Sequence, residues 1–301
     1  MTKEPKGEKA GFVALLGRTN SGKSTLLNSI LGYKLSITSR KPQTTRNRLI
    51  GIKTKELNQT IYVDTPGFHS DHQRLLNNTM NRIAKNTINN VDIILFMVDV
   101  NRVTQEDMNL ITSLGRNNNN KFLLLNKVDK TKNKDRILPL IDKVASLTNF
   151  DEIIPISALK GENLVLLEEL IEEYLPKGPH LYPKDQITDL SERFLVSEII
   201  REKSINRVGD EIPYRLAVMV EEFKRVNSIV YIDAIIYVEK RSQKGIVIGN
   251  SGKKLKSIGT SARKEIENLL DTKVMLKMWV KIKPGWSDNE KLISNMGYGS
   301  K

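Results

Sequence analysis

The chain has 301 residues, of which 39% are hydrophobic and 28% charged, a composition typical of a globular protein with two domains. It contains no cysteine, which excludes disulfides and thiolate metal ligands, and no apolar run approaches the roughly 20 residues of a membrane span. The formal net charge of +13 predicts an anionic partner, with nucleic acid first and an acidic membrane surface second. Residues 1–7 lack an apolar signal core, so we expect a cytoplasmic protein.

The first motif is a glycine-rich loop at residues 17–25, Gly-Arg-Thr-Asn-Ser-Gly-Lys-Ser-Thr, between an apolar run and helix-spaced leucines. Glycine lets the backbone wrap a polyphosphate, which then faces successive N–H groups and the helix N-terminus. Lys23 is expected to reach the β- and γ-phosphates and Ser24 to bind Mg²⁺. A glycine turn before an ordinary helix is the alternative. The predicted phosphate-binding residues are Gly17, Asn20, Ser21, Gly22, Lys23, Ser24 and Thr25.

Residues 33–50 are too polar for a buried element and predict a long mobile loop that leads into a strand. The pair Thr44-Thr45 lies where phosphate-loop GTPases keep the switch threonine, and Thr45 is the better candidate because it directly precedes Arg46. Its hydroxyl would complete the Mg²⁺ shell only while the γ-phosphate is present. For a threonine pair taken alone, a solvated turn is the simpler alternative.

Two strands, 50–55 and 59–63, come next, and the second ends in Asp64-Thr65-Pro66-Gly67. Asp64 can hold Mg²⁺, mostly through water, and the Gly67 N–H can meet the γ-phosphate and swing when it leaves. Residue 68 is Phe where the Ras-type pattern has a water-orienting Gln. Because a phenyl ring can neither orient nor deprotonate water, we expect a low intrinsic rate of hydrolysis. The predicted catalytic residues are Lys23, Thr45 and Gly67.

Two buried strands, 91–99 and 121–125, follow, and the second runs into Asn126-Lys127-Val128-Asp129. The Asp129 carboxylate can accept both N1–H and N2–H₂ of guanine, whereas adenine offers no such donor pair. Asn126 would tie this segment to the phosphate loop, and the Lys127 stem would cover the base. An ordinary turn after a strand is the alternative.

A last strand at 153–156 leads to Ser157-Ala158-Leu159, the remaining predicted GTP-binding residues, in which the N–H groups of Ser157 and Ala158 could meet guanine O6. The elements in this order predict a phosphate-loop GTPase domain at residues 8–175. Its fold class is α/β, a doubly wound sheet with nucleotide at the carboxyl ends of the strands. Two other features carry no predicted chemistry. His69 and His72 are too few for a zinc site, and residues 117–120 form a low-complexity asparagine loop.

Residues 176–188 begin with a proline- and glycine-rich run that breaks any helix and are interpreted as a linker. A smaller α+β domain is predicted beyond it at residues 189–290, followed by a C-terminal tail at 291–301. The predicted elements are a helix at 190–203 and strands at 214–223, 229–238 and 274–282.

The second glycine motif, Gly249-Asn250-Ser251-Gly252, lies between an apolar turn and a helix. A Gly-x-x-Gly loop at the tip of two helices is the clamp with which KH domains grip the backbone of RNA, and the element order matches the type II arrangement. Eight Lys or Arg and no Asp or Glu lie between Lys240 and Lys264. A solvated helix start and a basic face for acidic lipid are the alternatives. The predicted RNA-binding residues are Gly249, Asn250, Ser251, Gly252, Lys253, Lys254 and Lys256.

Over nearly its whole length the chain resembles the Era family of bacterial GTPases. The motifs that carry the resemblance are Gly-Arg-x-Asn-x-Gly-Lys-Ser-Thr-Leu-Leu-Asn, Gln-Thr-Thr-Arg, Asp-Thr-Pro-Gly, Asn-Lys-x-Asp, Ser-Ala-Leu and Val-Ile-Gly-x-x-Gly. The family also lacks the catalytic Gln, consistent with Phe68. Thr19 departs from the family, which usually has Pro there, and should alter loop stiffness more than chemistry.

The resemblance implies Mg²⁺- and GTP-dependent binding near the 3′ end of 16S rRNA during maturation of the small (30S) ribosomal subunit, with some peripheral contact with the inner membrane. It also implies that Asn20 is a candidate K⁺ ligand. We expect a monomer. Two other functions remain open at this point, a constitutive RNA chaperone with a structural nucleotide site and a membrane-recruited signalling GTPase.

Overall fold

The structure is a computed structural model, and it describes residues 7–39, 41, 45–68, 75–115, 119–131, 135, 137–208, 215–295 and 298. Thr44, His69, His72, Asn117, Asn118 and Tyr214 lie outside the described residues. The chain forms two compact units, the first built mainly from residues up to Asp189 and the second from Leu190 onward. A short segment that begins at Ile37 and the described residues 75–79 group with the second unit.

The first unit is a six-stranded sheet with strand order β2-β3-β1-β4-β5-β6, in which only the β2–β3 pair is antiparallel. The predicted doubly wound α/β domain is confirmed. Its strands are β1 Lys9–Leu16, β2 Leu49–Lys55, β3 Asn58–Asp64, β4 Ile93–Asp99, β5 Asn120–Asn126 and β6 Glu152–Ile156. Its helices are α1 Lys23–Leu31, α2 Leu75–Ile88, α3 Gln105–Leu114, α4 Ile137–Ala145 and α5 Leu164–Tyr174.

The central strands are nearly continuous runs of apolar residues because parallel strands are covered on both faces. In β4, all residues from Ile93 to Val98 are buried. The register then aligns the strand ends: Leu15 lies beside Asp64, and Asp99 lies beside Asn126. Since parallel strands end at the same edge, the polar residues that terminate β3 and β5 share that edge with the loop after β1.

The residues predicted as a linker are hydrogen-bonded to the first unit. The backbone N–H of Ile52 donates to the carbonyl of Ile187 at 2.7 Å, and the Thr188 hydroxyl donates to the carbonyl of Ile50 at 2.7 Å. The Gln59 side chain also bonds the backbone of Tyr182. This segment therefore covers the open edge of β2, the outer strand of the sheet.

The second unit is a three-stranded sheet of order β7-β8-β9, with β7–β8 antiparallel and β8–β9 parallel. A core of buried aliphatic residues joins the sheet to its helices. The unit's elements are α6 Glu192–Ile205, β7 Ala217–Val226, β8 Ile229–Val238, α7 Arg241–Ile248, α8 Lys253–Leu270, β9 Lys273–Ile282 and α9 Glu290–Asn295. The predicted α+β order is confirmed.

The sequence placed the end of the first strand of this unit too early. The prediction ended it at 223, whereas β7 continues to Val226 and turns into β8 at Asn227, which has a φ of 53°. The strand end was missed because Lys224, Arg225 and Val226 are exposed and show no apolar–polar alternation. The apolar stretch before Gly249 is likewise not a turn but the end of helix α7.

Candidate nucleotide and RNA sites

The phosphate loop connects β1 to α1, and both of its motif glycines have conformations that other residues rarely adopt. Gly17 has a φ of 137°, and a Cβ there would lie 2.3 Å from the Met97 carbonyl oxygen. Gly22 has a φ of 112°, and a Cβ there would lie 2.1 Å from Nδ2 of Asn126. Glycine is therefore required by sterics at both positions.

Lys23, the first residue of α1, is buried at 6% exposure beneath this loop. Its ammonium donates to the carbonyls of Gly17 at 3.0 Å and Arg18 at 2.9 Å. Burial lowers the pKa of Lys23 to about 8, and the Asp64 carboxylate partly opposes the shift. The charge thus lies inside the loop, where an anion wrapped by the backbone would approach it.

The predicted Mg²⁺ ligands meet at the end of β3. The Ser24 hydroxyl donates to Oδ2 of Asp64 at 2.9 Å, and the hydroxyl oxygens of Ser24 and Thr45 are 2.8 Å apart. Asp64 is fully buried, and its Oδ1 has no hydrogen-bond partner within the described part of the chain. Burial raises the pKa of Asp64, against the charge of Lys23 and the bonds from Ser24 and Ser36. One buried carboxylate beside two hydroxyl oxygens fits a hard cation such as Mg²⁺.

The prediction that residues 33–50 are too polar to be buried was wrong. Leu35, Ser36, Ile37, Thr45 and Arg46 are all at most 7% exposed. Several of the buried polar groups there form hydrogen bonds, which offsets the cost of burying them. For example, the Ser36 hydroxyl donates to Asp64 at 2.9 Å, and the N–H groups of Leu35 and Ser36 both donate to the Asn28 side chain at 2.9 Å.

The segment after Asp64 lies against the phosphate loop. A Cβ on Gly67 would be 2.7 Å from the backbone nitrogen of Thr19, and the N–H of Phe68 donates to the Gly17 carbonyl at 3.3 Å. The ring of Phe68 packs against the apolar core around β4 and β5. Gly67 is therefore placed beside the phosphate loop, whereas the side chain of Phe68 serves packing.

Asn126 connects the base-binding segment to the phosphate loop, as the sequence suggested. It is 2% exposed, and its Nδ2 donates to the Ser21 carbonyl at 2.7 Å. The Lys127 ammonium donates to the Asn20 carbonyl at 2.8 Å and pairs with Asp99 at 2.6 Å. These bonds fix the loop that carries Asp129 against the loop that would hold the phosphates.

Asp129 is exposed, and its Oδ1 accepts a hydrogen bond from the Ser157 hydroxyl at 2.7 Å. The two N–H groups predicted to meet guanine O6 have protein acceptors: that of Ser157 donates to the Glu162 carbonyl at 3.2 Å, and that of Ala158 to Oδ1 of Asn126 at 3.0 Å. A contact with O6 from either group therefore requires a shared or exchanged hydrogen bond.

The remaining predicted residues are more peripheral. Leu159 is 67% exposed, Asn20 is exposed with a φ of 63°, and Thr25 is half-buried on the first turn of α1. Sequence reasoning missed Ser36 and Arg18. Arg18 pairs with Glu106 at 2.7 Å and so fixes the phosphate loop to α3. No local signal identifies either residue, since their partners are distant in the chain.

In the second unit, α7 and α8 flank the predicted clamp. Gly249 has a φ of 72° and a ψ of 179°, and a Cβ there would lie 2.6 Å from Cβ of Lys254. Gly252 has a φ of 74° at the N-terminus of α8, and no described atom lies within 4 Å of a Cβ placed there. Lys253, Lys254 and Lys256 are among the first four residues of α8, so three positive charges belong to the first turn of a helix whose N-terminus also favours anions. This geometry suits phosphate.

A groove of about 410 Å³ runs from this clamp between α8 and β9. The predicted residues Gly252 and Lys256 line it, together with residues the sequence analysis missed: Leu255, Gly259, Thr260, Arg263, Leu276 and Met278. The α8 members recur at helical spacing from Gly252, a signal that could have identified them. Leu276 and Met278 come from β9, which only the fold brings alongside. Among the described residues, no helix is both long and apolar enough to span a bilayer.

Both sites define a phosphate-loop GTPase that carries a KH domain. A family model described as "50S ribosome-binding GTPase" matches residues 12–127, and one described as "KH domain" matches residues 211–287. The chain belongs to the Era family of GTPases.

Curated proteins named GTPase Era are similar over almost the whole chain. That of Pseudomonas aeruginosa is 47% identical over 98% of this chain and 97% of its own length, and that of Coxiella burnetii is 48% identical over 96% and 97%. A solved structure of Era in complex with MgGDPNP and nucleotides 1506–1542 of 16S ribosomal RNA has a TM-score of 0.94, with 39% identity over 97% of this chain and 99% of that one. A variant of Aquifex aeolicus Era bound to GDP·AlF₄⁻ has a TM-score of 0.93, with 39% identity over 96% and 99%.

Proposed function

We propose that this GTPase is a nucleotide-controlled switch that binds 16S rRNA near its 3′ end and acts in assembly of the small ribosomal subunit. The observation that carries the proposal is the likeness, over both units, to an Era structure that holds a GTP analogue and that RNA. Within this chain, the buried Asp64 cluster and the lysine-rich Gly-x-x-Gly clamp supply the two binding chemistries.

The small subunit is preferred to the large one for a structural reason. The family model whose description names the 50S ribosome matches only residues 12–127, most of which lie in the first unit. The KH domain and its clamp lie outside that match. The relative that covers the clamp holds 16S rRNA, which belongs to the small subunit.

The roles of the nucleotide-site residues follow from their positions. Lys23 and the phosphate-loop N–H groups bind phosphate, and Asp129 reads guanine. Ser24 and Thr45 would ligate Mg²⁺ directly, and Asp64 would hold it mostly through water. Its Oδ2 accepts hydrogen bonds from Ser24 and Ser36, and its Oδ1 has no hydrogen-bond partner among the described residues. When bound, Mg²⁺ neutralises phosphate charge. Asn20 is the candidate for K⁺.

The γ-phosphate is sensed by Thr45 and by the N–H of Gly67. Slow intrinsic hydrolysis is supported by Phe68, whose ring packs on the core and carries no group to orient water. Single-turnover hydrolysis in K⁺ and in Na⁺ tests both the slow intrinsic rate and the candidate K⁺ site at Asn20. A low rate that K⁺ increases supports the proposal, whereas a fast rate that is independent of the cation contradicts it.

The function is tested by binding of a single-stranded copy of the 16S 3′ tail to protein loaded with GDP or with a non-hydrolysable GTP analogue. Tighter binding with the analogue supports a switch. Equal binding, together with normal activity of Lys23→Ala protein in cells, would favour a constitutive RNA chaperone instead. Gly252→Asp is the control that removes the clamp alone.

We further propose a cytoplasmic monomer that contacts the inner membrane peripherally. The positive net charge supports this contact, since acidic lipid attracts lysine-rich surfaces. Flotation with vesicles that contain acidic lipid tests it. Strong vesicle binding by Gly252→Asp protein, combined with weak RNA binding by the unmodified protein, would favour a membrane signalling role.

A further inference from the structure

The sheet of the KH domain has a second face, directed away from its helices, that the clamp does not use. Its centre carries three large side chains, Tyr231, Met275 and Trp279, which are 39%, 51% and 45% exposed. Tyr231 and Met275 are register partners on β8 and β9, and Trp279 follows two pleats later on the same face of β9. The register partner of Trp279 is the buried Ile235, so Tyr231 and Trp279 lie at separate positions along one sheet face. Large exposed side chains on one face indicate a binding surface.

Lysines alternate with these side chains. Lys273, Lys277 and Lys281 project from β9 on the same face and are all exposed. The acidic residues of the face are largely balanced: Asp233 lies opposite Lys277 in the register, Glu222 pairs with Lys224, and Glu221 pairs with Lys281 at 3.7 Å. This surface, the outer sheet face, carries four lysines (Lys224, Lys273, Lys277 and Lys281) against these three carboxylates. It therefore combines π-surfaces with a small excess of positive charge, the pattern that binds single-stranded nucleic acid without reading sequence.

The outer sheet face is continuous with the groove. Leu276 and Met278 line the groove from one side of β9, and Met275, Lys277 and Trp279 project from the other. Because β9 is the edge strand of the sheet, an RNA that leaves the groove can pass over the edge onto this face. A Gly-x-x-Gly loop clamps only about four nucleotides. The RNA held by the solved relative runs from nucleotide 1506 to 1542 and is much longer.

We propose that the outer sheet face is a second RNA-binding surface, on which bases that flank the clamped segment stack on Trp279 and Tyr231 while Lys273 and Lys277 contact their phosphates. The inference rests on the proposed function. The outer sheet face would hold RNA through stacking and charge, so the protein would bind a longer stretch of RNA than the clamp alone.

The test uses the full-length protein and two RNAs, one that copies nucleotides 1506–1542 and one of about four nucleotides that fills only the clamp. Trp279→Ala should weaken binding of the long RNA about tenfold, the loss of one stacked base, and leave the short RNA unchanged. Trp279→Phe should restore most of the affinity, because a phenyl ring also stacks. Lys277→Gln should reduce the slope of log K against log salt concentration for the long RNA by about 1, the loss of one phosphate contact.

The two tryptophans of the chain give a direct readout, because Trp286 is fully buried and Trp279 is not. The long RNA should quench fluorescence in the unmodified protein but not in Trp279→Phe. Leu138→Ala, at an exposed apolar site on α4, is the matched control and should change nothing.

Three outcomes overturn the inference. Unchanged affinity of Trp279→Ala for the long RNA excludes stacking, and equal losses for both RNAs mean that Trp279 only supports the clamp. A fall in sedimentation mass on Trp279→Ala would assign the face to a second copy of the chain. If the unmodified protein binds neither RNA, the proposed function fails as well, so the two failures are distinguishable.

Discussion

Replacing Asn126 with alanine should destabilise the first unit as well as weaken GTP binding. The side chain is 2% exposed and makes two buried hydrogen bonds, to the Ser21 carbonyl at 2.7 Å and from the Ala158 N–H at 3.0 Å. Alanine leaves both backbone groups without a partner, at a cost of about 1–3 kcal/mol each. The total of about 4 kcal/mol is a large part of a typical stability of about 5–15 kcal/mol.

Differential scanning calorimetry measures this effect, since a domain of this size loses about 2–4 °C of Tm per kcal/mol. We expect the transition of the first unit in Asn126→Ala to fall by about 10 °C. Asp129→Ala is the control: Asp129 is exposed, so its loss should abolish guanine selectivity with little change in Tm. If Asn126→Ala melts within about 2 °C of the unmodified protein, the buried hydrogen bonds do not hold the two loops together.

A double-mutant cycle sharpens the same test. A Cβ on Gly22 would lie 2.1 Å from Nδ2 of Asn126, so Gly22→Ala alone should be strongly destabilising. In an Asn126→Ala background that particular clash is absent, and only the strain of the positive φ remains. The double mutant should therefore lose less stability than the sum of the two single-mutant losses, by about 1 kcal/mol or more. Additive losses would contradict the contact.

Three further predictions concern single residues of the two sites. Ser36→Ala removes the hydrogen bond at 2.9 Å that orients Asp64, and should weaken Mg²⁺-dependent GTP binding about tenfold while leaving GDP binding in EDTA nearly unchanged, as measured by titration calorimetry. Gly252→Asp introduces a negative charge where a Cβ meets no described atom, and the positive φ of Gly252 adds strain of about 1–2 kcal/mol, so the protein should remain folded by circular dichroism yet lose RNA binding. Asp129→Asn should shift preference from guanine to xanthine nucleotides, and unchanged selectivity in a competition assay would refute the assignment of Asp129 to the base.

The fold and the order of the nucleotide motifs could be predicted because both depend on patterns within short stretches of sequence. Buried parallel strands such as β4 are almost uninterrupted apolar runs, and the predicted site residues Asp64 and Asn126 are the last residues of such strands. The strand register then brings these ends together without further information.

The parts that could not be predicted depend on contacts between distant residues. Nothing near Ser36 indicates that its hydroxyl will reach Asp64, 28 residues away, or that the segment around it is buried. The polar composition of residues 33–50 led to the wrong prediction, because polar groups can be buried when they form hydrogen bonds. The groove residues from β9 were missed for the same reason, since only the parallel pairing with β8 brings Leu276 and Met278 beside α8.

The nucleotide site contains two buried groups of opposite charge, Lys23 and Asp64. The effect of burial on these two groups explains what kind of ligand the site selects. Burial lowers the pKa of Lys23 and raises that of Asp64, so the surroundings oppose the charged form of both groups. A ligand that brings an anion to Lys23 and a cation to Asp64 reverses both shifts at once, and a metal–polyphosphate has that pattern of charge. The Ser24 and Ser36 hydroxyls bond Asp64, and the Thr45 hydroxyl lies beside that of Ser24. These groups carry no charge, so they act on affinity by orienting the carboxylate rather than by adding charge. On the proposed roles, we expect discrimination between GTP and GDP to come from Thr45 and Gly67, the residues predicted to respond to the γ-phosphate.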